Sequence, residues 1–81
     1  MEINLINGSF SNSQAESLIK NIFKAKISFH EDKIKSHLMT EEDIEHSEKR
    51  IIELQKTLRK AIKAIKSQDY VEMQATINIK I

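Results

Sequence analysis

The chain has 81 residues, 40% of them apolar and 31% charged, with thirteen basic against twelve acidic side chains, no cysteine, no proline and a single glycine. That length supports one domain, residues 1–81, near the lower limit at which burial of apolar surface sustains a fold, which favours self-association. The composition is too apolar for a disordered chain; the lack of cysteine excludes disulfides, thiolate nucleophiles and cysteine-based zinc sites; and a net charge of +1 gives little long-range attraction to nucleic acid or acidic membranes.

The opening segment, Glu2 to Asn7, alternates and predicts a short strand with Ile3 and Leu5 on one face. Asn7-Gly8 is a dipeptide that tolerates positive φ, so a sharp bend is expected at Gly8. Ser11 then fits a helix N-cap, with Gln14 three residues on to complete a capping box and Phe10 placed to staple against Ala15.

From Asn12 to about His37, apolar residues recur at spacings of three and four, which predicts a helix. They form two lobes: Leu18, Ile22, Ala25 and Phe29 in one, Ile19, Phe23, Ile27 and Ile34 in the other. Together the lobes cover an arc of roughly 200°, wider than a helix resting on one surface needs, so two packing partners are expected.

A second helix start lies at "TEED", with Thr40 as N-cap, Asp43 three residues later and acids suited to the positive end of the helix dipole. Ile44, Ile51, Leu58 and Ile65 repeat every seven residues with Ser47, Leu54 and Ala61 between them, a narrow seam running toward Lys66. Only a few residues around Leu38 and Met39 separate the two helices, so an antiparallel helical hairpin follows.

The last segment, Tyr70 to Ile81, alternates throughout: Val71, Met73, Ala75, Ile77, Ile79 and Ile81 face one way, and Glu72, Gln74, Thr76, Asn78 and Lys80 the other. The predicted fold is α+β with β-α-α-β order, a long helical hairpin packed on a small antiparallel sheet. A last strand about twice as long as the first would leave an unpaired edge in a monomer, so a homodimer in which the C-terminal strands pair through Val71, Met73, Ala75, Ile77 and Ile79 is expected.

Side chains able to carry chemistry are few. His30 lies on the apolar side of the first helix, His37 near its end and His46 early in the second. Asp43 and His46 stand three apart, like one half of a di-metal helical site, but no second such pair and no His-x-x-x-His occur, so no metal and no cofactor is expected. The single glycine excludes a phosphate-cradling loop, and no strand-turn-helix elbow presents a serine nucleophile, so no enzymatic role is expected. Lys56, Arg59, Lys60, Lys63 and Lys66 fall on the side of the second helix away from its seam, and a dimer would double them into a patch able to contact phosphates. No aromatic residue interleaves with them, and basic residues at a helix C-terminus already have a dipole explanation. Ile52 on the same side could anchor a protein partner.

Asn7-Gly8-Ser9-Phe10, Ala25-Lys26-Ile27, Phe29-His30, Lys33-Ile34, Arg50-Ile51 with Leu54, and Ile77-Asn78-Ile79 together resemble a group of small bacterial proteins of uncharacterised function. The resemblance spans most of the chain and implies no activity and no site residue. Asn12-Ser13-Gln14 stands where that group has a proline and paired acids. No run approaches the ~20 apolar residues that cross a bilayer, and "MEINLIN" lacks the basic start of a signal peptide, so a cytoplasmic location without a membrane partner is expected. The function expected from these features is that of a non-enzymatic homodimeric interaction or scaffold module, possessing or lacking a further protein partner. The alternative is weak nucleic-acid binding through the basic face of the second helix.

Overall fold

A computed structural model describes residues 1–35 and 41–81. Four elements follow in the order β-α-α-β: β1 (Glu2–Ser11), α1 (Asn12–Ile34), α2 (Glu41–Lys66) and β2 (Tyr70–Asn78). The strands form a two-stranded antiparallel sheet. The helices pair as a hairpin, and the sheet leans mainly on α1.

Ser11 and Gln14 start α1 as the sequence predicts. The Gln14 backbone N–H donates to Ser11 Oγ at 3.3 Å, and the Ser11 N–H donates to Gln14 Oε1 at 3.1 Å, so two backbone donors that a helix start leaves free are satisfied reciprocally. The helix ends at Ile34 with Lys35 as its C-cap, a turn earlier than the periodicity suggests. His37, the connection around Leu38 and Met39, and the Thr40 cap lie outside the described residues. The α2 seam holds: Ile44, Ile51, Leu54, Leu58, Ala61 and Ile65 are half-buried, and Ser47 is buried. A residue as small as serine lets two helix backbones approach closely at that level.

The expected bend at Gly8 is absent. Gly8 pairs with Met73 inside β1, and no residue of the described chain, glycine included, has positive φ. The strand therefore runs ten residues rather than six and nearly matches the nine of β2. With it falls the length mismatch that pointed to an unpaired C-terminal strand. A bulge explains why the alternation broke. Asn4 pairs with Thr76 and Ile6 with Ala75, leaving Leu5 as an extra residue. Without it, Ile3 and Ile6 would point to opposite faces; with it, Ile3, Ile6, Gly8 and Phe10 share one face with Ile77, Ala75, Met73 and Val71. Leu5, expected beside Ile3, is instead 54% exposed. The other face carries Asn4, whose side-chain oxygen accepts from Thr76 Oγ1 at 3.3 Å.

Neither backbone nor packing requires a glycine at position 8. A Cβ built on it would stand 3.8 Å from the Phe10 ring, an ordinary contact, so the ring of the residue two along covers the glycine. Since the backbone there needs no glycine, Gly8→Ala should stabilise the chain by about 0.5 kcal/mol, by restricting the unfolded state and removing a weak strand former. Urea denaturation at fixed protein concentration checks this. Destabilisation by more than about 1 kcal/mol, the scale of a strained substitution, would show that the position needs the bare backbone.

All four elements converge at one corner. The Asn12 N–H donates to the Asp69 carbonyl at 3.0 Å, and Asn12 Nδ2 donates to the Gln68 carbonyl at 2.9 Å, tying the start of α1 to the connection between α2 and β2. Glu16 Oε1 takes Lys20 at 3.0 Å and Lys66 at 3.6 Å, joining the first turns of α1 to the last turn of α2. Ala15, fully buried, and Ile6, 8% exposed, are the buried apolar side chains among the described residues.

Away from the corner, burial fades along both arms. On α1, Leu18 and Ile22 are half-buried, while Ala25 and Phe29 are exposed. On the sheet, Val71, Met73 and Ala75 are half-buried, while Ile3, Ile77 and Ile79 are exposed. The other lobe of α1, Ile19, Phe23, Ile27 and Ile34, stays half-buried along its length. α1 thus has the two packing partners expected of it, α2 and the sheet.

Candidate functional site

The basic residues Lys56, Arg59, Lys60, Lys63 and Lys66 all lie exposed on α2. Lys66 is held to Glu16 across the corner; the other four enter none of the ion pairs among the described residues. Lys56 and Lys60 border a shallow depression with Phe23, Arg50, Leu54 and Thr57, where Arg50 is engaged by Glu53 at 3.1 Å. Lys20 and Lys66 beside the Glu16 carboxylate, the hydrogen bond from Lys20 foremost, hold its pKa below the usual range. The cationic side of α2 is therefore a solvated strip next to a neutralised corner.

Two histidines, His30 on α1 and His46 on α2, lie among the described residues. His46 is exposed among Lys49, Arg50 and Glu53 on α2. His30, on α1, packs edge to face with Phe29 at 5.5 Å between ring centres, and both of its ring nitrogens are shut from solvent with no hydrogen-bond partner among the described residues. Desolvation, with Lys26 and Lys33 on its own helix and Arg50 and His46 on α2, pushes the imidazole below its ordinary pKa. Among the described residues, no group of three or more His, Asp or Glu side chains is placed to hold a metal ion. No described helix is long and apolar enough to cross a membrane.

The lowered His30 pKa sets an expected pH response. The fold favours the neutral ring, whereas the unfolded chain takes up a proton near its ordinary value, so the unfolded state binds more protons on acidification. Stability should be full above about pH 6.5 and decline as the pH falls from there toward the folded-state pKa. In His30→Leu that decline should flatten. Thermal midpoints measured from pH 7.5 to 5 in both proteins test it, and parallel curves would contradict it.

The third surface is the sheet's apolar face. Val71, Met73 and Ala75 are partly covered, but Ile77 and Ile79 are 43% and 42% exposed, and Ile3 stands level with Ile77 at 36%. None of the paired residues on this face is charged; Glu2 and Glu72 lie on the opposite face. Ile79 extends the face beyond β2, because its N–H donates to the Met1 carbonyl at 2.7 Å and its carbonyl accepts from the Met1 ammonium at 2.8 Å. Sequence alternation identifies the β2 half of this face, whereas the β1 half emerges only once the bulge at Leu5 is known.

Beyond this face and the basic strip, α1 exposes Phe29, with Lys26 Nζ 5.0 Å and Lys33 Nζ 5.4 Å from its ring centre, and α2 exposes Ile52. The ammonium groups over Phe29 lower the cost of leaving that ring in water. Comparison with protein-family models, curated proteins and solved structures finds no match to this chain.

Proposed function

We propose that this protein is a non-enzymatic interaction or scaffold module that works as a homodimer. The observation that carries the reading is the incompleteness of the single chain. Among the described residues no large side chain is fully buried. The chain exposes 6664 Å², roughly a third more than the about 5,000 Å² that size scaling gives a compact monomer of this mass. Its radius of gyration is 15.3 Å, against about 12 Å for a compact chain of this length. A two-stranded sheet is also marginal in water unless more strands or a packing surface support it. A second copy supplies both, and symmetric dimers are the commonest way in which soluble chains do so.

Size-exclusion chromatography with light scattering at micromolar concentration is the test. A mass near twice the 9.4 kDa of the chain is expected, and a mass of one chain would overturn the reading.

A second reading, nucleic-acid binding, is favoured by one observation, that Lys56, Arg59, Lys60 and Lys63 are exposed and outside the ion pairs among the described residues. It ranks lower because phosphate contacts alone confer only non-specific affinity, and nothing aromatic stands among the lysines for bases to stack on. A mobility shift at low salt that vanishes when Lys56, Arg59 and Lys63 become Glu would support it. No shift at low salt would remove it.

A further inference from the structure

We infer that the second copy pairs antiparallel along the outer edge of β2, so that the two β2 strands meet about a two-fold axis at Gln74 and the two sheets become one of four strands. This rests on the homodimer reading and specifies its contact surface.

The ladder between β1 and β2 fixes which backbone groups are left over. At one end of β2 the Asp69 carbonyl accepts from the Asn12 N–H at 3.0 Å; at the other, Ile79 exchanges bonds of 2.7 and 2.8 Å with Met1. Both residues are odd-numbered, and β2 runs between them without a bulge, so Val71, Met73, Ala75 and Ile77 also turn their N–H and C=O groups toward β1. Tyr70, Glu72, Gln74, Thr76 and Asn78 therefore direct theirs outward, and all five residues are exposed.

The two outer edges of the sheet are not equivalent. That of β1 is interrupted at Leu5 by the bulge, one of the devices that keep an edge from pairing. From Tyr70 to Asn78, β2 has no bulge, no proline and no lysine, and α2, which leads into it, packs on α1 rather than beside it.

An axis at Gln74 uses the whole strand. Tyr70 then pairs with the partner's Asn78, Glu72 with the partner's Thr76 and Gln74 with the partner's Gln74, which makes about ten backbone hydrogen bonds, the number of a typical interface. A shift toward either end leaves outward groups unpaired, and an axis at Glu72 would oppose two carboxylates. On the apolar face, Val71 lands opposite the partner's Ile77 and Met73 opposite the partner's Ala75. Exposure selects the same arrangement. It rises along the strand from half-buried Val71, Met73 and Ala75 to Ile77 at 43%, and antiparallel pairing sets each uncovered end beside the partner's covered end. Stacking the two faces instead would leave the β2 edge unpaired.

Amide exchange reads the edge directly. In deuterated buffer, followed residue by residue by NMR, the N–H groups of Glu72, Gln74 and Thr76 should exchange as slowly as those of Met73 and Ala75, which bond to β1; on an unpaired edge they would exchange roughly tenfold faster or more. In parallel, Gln74→Glu and Gln74→Lys each put like charges on the axis and should each dimerise several-fold more weakly, with wild-type helix content by far-ultraviolet circular dichroism, while an equal mixture of the two recovers tight pairing. If the wild type is a dimer but those three amides exchange as in open water, or the mixture pairs no better than its separate components, the copies do not meet in this way, and this inference fails while the homodimer reading stands. A wild type with the mass of a single chain overturns both, including one whose edge amides are protected only when a strand of another protein binds.

Discussion

Ile6→Ala should cost about 3 kcal/mol, while Leu5→Ala, one residue away, should cost under about 1 kcal/mol. The contrast follows from the bulge. Ile6 is 8% exposed and sits opposite Ala75 on the covered face, whereas Leu5 is the unpaired extra residue, 54% exposed. Truncating a buried isoleucine loses the transfer free energy of the removed carbons and leaves a cavity that the neighbours only partly fill. At Leu5, most of the side chain already contacts water. Urea denaturation of both variants, at one protein concentration because dimer stability depends on it, supplies the comparison. Equal costs, or a larger cost at Leu5, would place the pairing in the unbulged register, where Ile3 and Leu5 share a face.

Ala15→Leu is expected to be the most damaging small-to-large change, with a loss of about 2–3 kcal/mol and a thermal midpoint lower by roughly 10 °C or more. Ala15 has no accessible surface and lies in the first turns of α1, at the corner where Asn12 is bonded to the connection between α2 and β2. Three added carbons must either leave their preferred rotamers or lever the sheet from the helix. The bonds from Asn12 to Gln68 and Asp69 resist that movement, so the strain has few outlets. Ser17→Leu, two residues on and exposed, introduces the same leucine at the surface and should shift stability by no more than about 0.5 kcal/mol. Differential scanning calorimetry of the pair is the measurement. An Ala15→Leu protein that melts like the wild type would mean that the corner is loosely packed.

Much of the architecture was legible without coordinates because its causes are local. The Ser11–Gln14 capping box is a contact across three residues. The α2 seam is a repeat within one helix, and the alternation of β2 is a property of one strand. Each depends on side chains that the backbone geometry alone brings together. The two-lobed face of α1 also indicated its two neighbours, α2 and the sheet.

The extent of β1 was not legible, and the reason is specific. A bulge is defined by the partner strand: that Leu5 is extra becomes visible only when Asn4 and Ile6 are set against the consecutive residues Thr76 and Ala75. In the sequence the same residues look like a strand that stops, and Asn7-Gly8 looks like a turn. Gly8 misled for a related reason, since it sits in an ordinary extended conformation opposite Met73, which no dipeptide preference reports.

By itself, then, the sequence determined the β-α-α-β order, the start of α1, the buried stripe of each helix and the apolar side of β2, all of which follow from period and capping within a single segment. Tertiary structure alone decided the register of the sheet, the joining of all four element ends at Asn12, Glu16, Lys66 and Asp69, and how far along its arms the chain can cover itself. Those features depend on contacts between residues distant in the chain, whose geometry no local pattern encodes. They also leave Ile3, Ile77 and Ile79 in water, because a two-stranded sheet that meets α1 closely only near the corner cannot shield its own far end.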